Sequence, residues 1–238
     1  MIPKDIESIL KELSQEYNNP QYFSKDPIII PKYFAEKLNS GQATLQDVEI
    51  SGILAAHLAW GRREMIVRDC NRMLDEMEWQ PYNYILKGKY RDDNSSLHRT
   101  IKWSEFAGIC RNLNLFYCGN SSLEMVDAGR IRTMIFGQRG NPKAANKKIH
   151  MFRRWMVRDD GIVDLGIWKT VKPSELIIPL DVHVHRTALK LGITRRKSAD
   201  ITTAMEITDF LKKLFPEDPC KGDFALFAYA ATKNQKNG

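Results

Sequence analysis

Apolar residues recur along this chain at helical spacing. Ile6, Ile9, Leu10 and Leu13 stand at i, i+3, i+4 and i+7, and Ile207, Phe210, Leu211 and Leu214 repeat the pattern, so each segment turns one stripe toward a core. No comparable stretch alternates with the period of two that a half-buried strand needs. Start signals agree with helices: Thr44 with Asp47, Ser121 with Glu124 and Thr203 with Glu206 have capping-box spacing. Gly61, Gly192 and Pro216 supply stops. The pattern predicts helices over 4–16, 32–38, 45–60, 63–78, 81–87, 104–118, 122–136, 142–158, 182–191, 203–215 and 219–231, and hence an all-α fold.

Between these elements, Gly88 to Ser96 reads as a polar surface loop and 233–238 as a frayed tail. The stretch from Asp159 to Ile178 is irregular but carries Ile162, Val163, Leu165, Ile167, Trp168, Leu176, Ile177 and Ile178. It is long enough that it must pack against something to be ordered. No internal repeat or low-complexity segment interrupts the chain. With 238 residues, 43% of them hydrophobic, a single compact unit is expected. Its helical lobes fall at 45–136 and 137–232, with the N-terminal helices of 1–40 packed on the second.

Charge changes the picture. The formal net charge is +7, and from Arg130 to Arg158 there are nine Lys or Arg and no Asp or Glu. A polyanion is the natural partner of such a stretch. The four cysteines, Cys70, Cys110, Cys118 and Cys220, form no CxxC or ligand-like cluster, so neither a metal nor a cofactor is expected. The start of the chain reads as an amphipathic helix rather than a signal peptide, and no apolar run reaches the roughly 20 residues of a membrane span. A soluble, cytoplasmic monomer is expected.

Two helix starts carry the candidate chemistry. Asn141-Pro142 has the form of a helix start, and the helix that follows has Ala145, Ile149, Phe152 and Met156 on one face. Lys147 points nearly opposite that stripe, whereas Lys148 flanks it. In Pro179-Leu180-Asp181-Val182-His183-Val184-His185-Arg186, Asp181 takes the N-cap position, where backbone amides and the helix dipole favour its ionised form. His57 lies on an apolar helix face as a core histidine. His183 and His185, two apart at a helix start, diverge and do not aim at one metal.

These residues also carry a resemblance. PLDVHVHR resembles the V-D-T-H-V-x-R segment of the helix-hairpin-helix DNA glycosylases, the base-excision repair superfamily that includes endonuclease III and the 8-oxoguanine glycosylases, and Asp181 falls on that family's catalytic aspartate. Its bifunctional members follow the catalytic lysine with apolar residues at +2 and +5; Ile149 and Phe152 satisfy this for Lys147, while His150 and Arg153 do not for Lys148. Glu49 to Arg63 looks like the superfamily's first core helix and the turn after it. The longer strings RRWMVRDDGIVDLGIWK, ELIIPLDVHVHRTALKLG and DPCKGDFALF resemble a bacterial domain-of-unknown-function family over nearly the whole chain. The glycosylase pattern is not complete: Phe136-Gly-Gln-Arg-Gly-Asn-Pro142 replaces the leucine-proline-glycine hairpin, Lys147 and Asp181 stand 34 residues apart, farther than in endonuclease III, and the four-cysteine cluster motif is absent.

The resemblance implies a two-lobed helical architecture with a cleft between lobes, and a glycosylase, with lyase activity, acting on double-stranded DNA that contains a damaged or mismatched base. Breaking a bond from base to sugar develops positive charge on the sugar, which a fixed carboxylate such as Asp181 stabilises. A neutral Lys147 amine is suited to attack the anomeric carbon and form a Schiff base. Arg139, Lys143, Lys148, Arg195, Arg196 and Lys197 are the candidate phosphate contacts, and Trp60, Trp155 and Trp168 the candidates for stacking on an extruded base. Two other readings remain open: a non-catalytic nucleic-acid-binding protein, and a metal-dependent nuclease using Asp181, His183 and Asp159 or Asp160.

Overall fold

A computed structural model describes residues 4–235, with side chains over 6–229; residues 236–238 of the expected frayed tail lie outside it. The fold is all-α, and its only strands among the described residues form a small antiparallel hairpin, β1 (Ser96–His98) with β2 (Ile101–Lys102). No helix is long and apolar enough to cross a membrane. The chain divides into two units, one of residues 23–140 and one of residues 1–22 with 141–238.

In the unit of residues 23–140, α3 (Leu45–Leu58) is the central element, buried from Val48 to Leu58. Thr44 caps it as the spacing predicts, its hydroxyl accepting from the Asp47 amide at 3.2 Å while the Asp47 carboxylate accepts from the Thr44 amide at 2.8 Å. Asp47 also accepts from the Tyr82 amide at 2.9 Å, which fixes the start of α5 (Pro81–Lys87). Around α3 pack α2 (Ile29–Asn39), α4 (Arg63–Glu76) and α5, and α6 (Trp103–Tyr117) packs on α5.

The predicted helix over 122–136 does not form as such. Glu49, fully buried on α3, draws the Ser122 hydroxyl at 2.5 Å and the Leu123 amide at 3.0 Å. The Glu124 amide, which the predicted Ser121 box requires, donates instead to the Ser122 hydroxyl at 3.0 Å. Helix begins only after Asp127, which caps the short α7 (Ala128–Arg130), and continues as a wide π-turn over Ile131–Ile135.

The unit of residues 1–22 and 141–238 is built on α8 (Lys147–Val157), α9 (Val182–Lys190), α10 (Ile201–Leu214) and α11 (Lys221–Gln235), with α1 (Lys4–Tyr17) and α9 both packed on α11. Here the predicted helix 142–158 is corrected at its start. The Asn141 side chain accepts from the Lys143 amide at 3.0 Å and its carbonyl from Ala144 at 3.1 Å, making a turn, and the Lys143 carbonyl is taken by the Ile201 amide at 3.1 Å. Asn146, in the left-handed region at φ 46°, then turns the chain into α8. Lys147 is consequently the first residue of the helix. The start of α10 moves too: Asp200, not Thr203, is its cap, accepting from the Thr203 amide at 2.9 Å.

The 159–178 connection packs as its apolar residues require. The Leu165 and Trp168 amides donate to the Trp155 and Met156 carbonyls, both at 2.8 Å, so the chain folds back over the end of α8. Gly166 permits this: at φ 58°, a Cβ there would stand 2.6 Å from Asp159.

Candidate functional site

Because α8 begins at Lys147, its side chains sort into two buried faces. Ile149, Phe152, Trp155 and Met156 fill the apolar core. Positions 147, 150, 154 and 158 line up at helical spacing along the other side, and there Arg154 and Arg158 are buried at 6% and 1% exposure. The side opposite the apolar stripe is therefore a buried polar layer two turns deep, with the half-buried Lys147 at the start of the same helical line.

Two guanidinium groups face four carboxylates in this layer. Arg158 donates to Asp218 and Asp160, each at 2.9 Å, and to Asp164. Arg154 donates to Asp223 at 3.0 Å and stands 3.4 Å from Asp164. Asn18 completes Asp160 with a bond of 2.8 Å. Both arginines lie 4.8 Å from the ring centre of Phe224, and partners of this kind are what a buried charge requires. Negative charge is in excess, and burial, opposed by the arginines, pushes the Asp164 carboxyl up from its ordinary range and Asp223 up to about 6.

Asp223 joins the two candidate residues. It sits in the first turn of α11, which packs on α9. Asp181 caps α9, its Oδ1 accepting from the Val184 amide at 2.8 Å as the sequence predicts, and stays half-buried. Both Lys147, from the start of α8, and Asp181 act electrostatically on Asp223, Asp181 raising its proton affinity and Lys147 lowering it. No salt bridge joins Lys147 directly to Asp181 among the described residues. The amine at the start of α8, the carboxylate at the start of α9 and the buried carboxyl on α11 thus belong to one unit.

His150, one turn after Lys147, is buried and its Nε2 has no hydrogen-bond partner. Burial, with the Arg153 charge second, pushes its imidazole down to about 4. The folded state then binds fewer protons at this group than the unfolded chain between about pH 6.5 and 4, so stability is lost as pH falls through that window. Asp223 has the opposite sign, gaining stability as pH falls through 6. His150→Leu should therefore leave stability at pH 7 nearly unchanged and reduce the loss on acidification by up to about 3 kcal/mol. Urea unfolding at pH 7 and pH 4.5 reads this out; an acid-induced loss as large as in the wild type would contradict it.

The other sequence candidates are distributed as follows. Lys143, Arg195 and Lys197 are exposed and Lys148 half-buried in the same unit as Lys147, while Arg139 is exposed in the unit of residues 23–140. Arg196 is largely structural, donating to Thr203 at 3.0 Å and Asp200 at 2.8 Å while its carbonyl faces His185 Nε2 at 2.8 Å. Trp155 and Trp168 need correction as stacking residues. They are core side chains at 0% and 2% exposure and offer no ring face to a base. Trp60, half-buried, carries Arg99 at 4.1 Å from its ring, and its carbonyl faces Nε2 of buried His98, whose Nδ1 meets Asp69 at 2.7 Å. His57 is a satisfied core histidine, with Glu105 at 3.0 Å.

No group of three or more His, Cys, Asp or Glu suited to a metal occurs among the described residues. Asp159 and Asp160, the ligands a metal-dependent nuclease would need, are engaged by Lys169 and Arg158. The residues that sequence reasoning missed are Arg154, Asp223 and His150. A signal was present: Arg154 stands seven residues after Lys147, on the same helical line, and Asp223 lies in the string DPCKGDFALF.

Neither the search of curated proteins nor that of solved structures returned a match. Residues 26–232 match the family model described as a protein of unknown function, DUF2400. That match takes in most of both units, with Lys147, Asp181 and Asp223, and the chain belongs to the DUF2400 family.

Proposed function

We propose that this protein is a DNA base-excision glycosylase with lyase activity, in which Lys147 is the nucleophile and Asp181 the carboxylate that stabilises the sugar cation or takes the lysine's proton. The observation that carries the reading is the placement of these two groups. Each stands half-buried at a helix start of the same unit, Lys147 opening α8 and Asp181 capping α9. In the proposed reaction the Lys147 amine forms a bond to the anomeric carbon as the bond from sugar to base breaks, the base leaving with the electron pair and acquiring a proton. Ring opening gives an imine, from which elimination of the 3′ phosphate cleaves the strand. Lys143, Lys148, Arg195 and Lys197 would hold phosphates beside it, and the partner is double-stranded DNA with a damaged or mismatched base.

The test is a panel of duplex oligonucleotides carrying oxidised, alkylated, deaminated and mismatched bases and an abasic site. We expect base release or strand cleavage on at least one. Asp181→Asn should slow that reaction about 100- to 1000-fold while leaving salt-sensitive DNA binding in place. Binding to every duplex without base release or cleavage on any would instead establish a non-catalytic nucleic-acid-binding protein.

A further inference from the structure

We infer that the exposed face of α9 and the loop after it form one track for the phosphate backbone of duplex DNA, in which Arg186 and Lys190 join Arg195 and Lys197. From Val182 to Ala199 the chain holds five Lys or Arg and no Asp or Glu. α9 buries Val184, His185, Thr187 and Ala188 and packs on α11. At about 100° per residue His183, Arg186 and Lys190 fall together on its other side, and all three are exposed. Among the described residues no hydrogen bond or salt bridge engages the side chain of Arg186, Lys190, Arg195 or Lys197. The inference rests on the reading above for its partner, DNA, and not for the chemistry at Lys147 and Asp181.

A run of basic residues is ordinarily a solvated face, but this one is held in place. The ring of His185, 8% exposed, meets the Arg196 carbonyl through Nε2 at 2.8 Å, and because a carbonyl only accepts, the ring donates. The buried Thr194 hydroxyl accepts from the Arg196 amide at 3.1 Å and donates to Glu206 at 3.0 Å. The buried Thr203 hydroxyl donates to the Ser198 carbonyl at 2.6 Å. With the Arg196 guanidinium bound to Thr203 and Asp200, the loop is tied to both α9 and α10, and Arg195 and Lys197 stand exposed on either side of its anchor. Arg186 and Lys190 are one turn apart, about 6 Å along the helix axis, a length over which one strand of a duplex presents about two phosphates. Of the apolar side chains of α9, Val182 and Leu189 are exposed, too few to seat the helix in a lipid surface.

The test is the salt dependence of binding to a short, undamaged, fluorescein-labelled duplex, read by anisotropy as the slope of log Kd against log salt concentration. Arg186→Gln combined with Lys190→Gln should lower the magnitude of that slope by about two, whatever the base sequence. Arg195→Gln combined with Lys197→Gln should lower it by a like amount, and both falls are required. Lys212→Gln combined with Lys213→Gln removes the same charge from the last turn of α10 and should leave the slope unchanged. An equal fall in the α10 variant would reduce the effect to net charge, and a wild-type slope in the α9 variant would leave α9 a solvated face. Either result overturns the inference, as does a wild-type protein that fails to bind the duplex. Vesicles of phosphatidylcholine with phosphatidylserine supply another arm. Vesicle binding that needs Arg186 and Lys190, with DNA binding untouched by their loss, would assign the face to lipid and overturn the inference as well. Both slope changes without base release or strand cleavage on any duplex would defeat the glycosylase reading alone. Cleavage that depends on Lys147, with an unmoved slope in the α9 or the loop variant, would defeat this inference alone.

Discussion

Arg158→Met should be the most destabilising single substitution in the unit of residues 1–22 and 141–238, costing about 3 to 5 kcal/mol. Arg158 is 1% exposed and is the shared partner of Asp160, Asp164 and Asp218. Methionine fills part of its volume but takes the guanidinium from three carboxylates, leaving Asp164 with Arg154 at 3.4 Å and Asp160 with Asn18 at 2.8 Å, and Asp164 is itself almost without solvent contact. The cost is the penalty of stranding those charges rather than the worth of the pair, which makes it dependent on pH. Once Arg158 is gone, the carboxyls of the folded state hold protons more tightly than those of the unfolded chain, so stability recovers as pH falls and they become neutral. Urea unfolding at pH 7 and pH 5 should show the gap to wild type narrowing on acidification. A gap below about 1 kcal/mol at pH 7 would mean that water reaches these carboxylates freely, contrary to their burial.

Lys147→Ala should reduce strand cleavage to background while leaving the fold intact. Lys147 is half-buried at the first position of α8, where alanine is readily accommodated, so its Tm should move little. No other amine at that helix start can substitute. Lys148, the next residue, is rotated by about 100°, and its truncation should weaken DNA binding in a salt-dependent way without abolishing cleavage. Equal loss of cleavage in both single variants, with binding also lost, would show that the two lysines act only as phosphate contacts.

Much of the fold was legible because most of its helices are set locally. The stripes of α1 and α10, the Thr44 and Asp47 capping box and the Asp181 cap all follow from residues within one or two turns. What the sequence hid depends on partners far along the chain. Residues 122–126 leave the helical register because Glu49, more than 70 positions earlier, takes their donors. The start of α8 moves to Lys147 because the Lys143 carbonyl is bound by Ile201.

The candidate pair was readable from local signals, but its surroundings were not. Nine basic residues without an acidic one look like a solvated, polyanion-binding face, and most of them are at least partly exposed. Arg154 and Arg158 are exceptions, because Asp160, Asp164, Asp218 and Asp223 arrive from the following connection and from the start of α11. Helical spacing alone cannot separate a buried arginine from a surface one when the acids that neutralise it lie up to 69 residues away.

The most direct test of the central claim is borohydride trapping. The protein is incubated with duplex DNA carrying an abasic site or a substrate lesion, the imine is reduced, and the crosslinked peptide is sequenced by mass spectrometry. The account predicts a covalent adduct on Lys147, absent in Lys147→Ala and present in Lys148→Ala. An adduct on any other residue, or none on any duplex that the protein demonstrably binds, would contradict it.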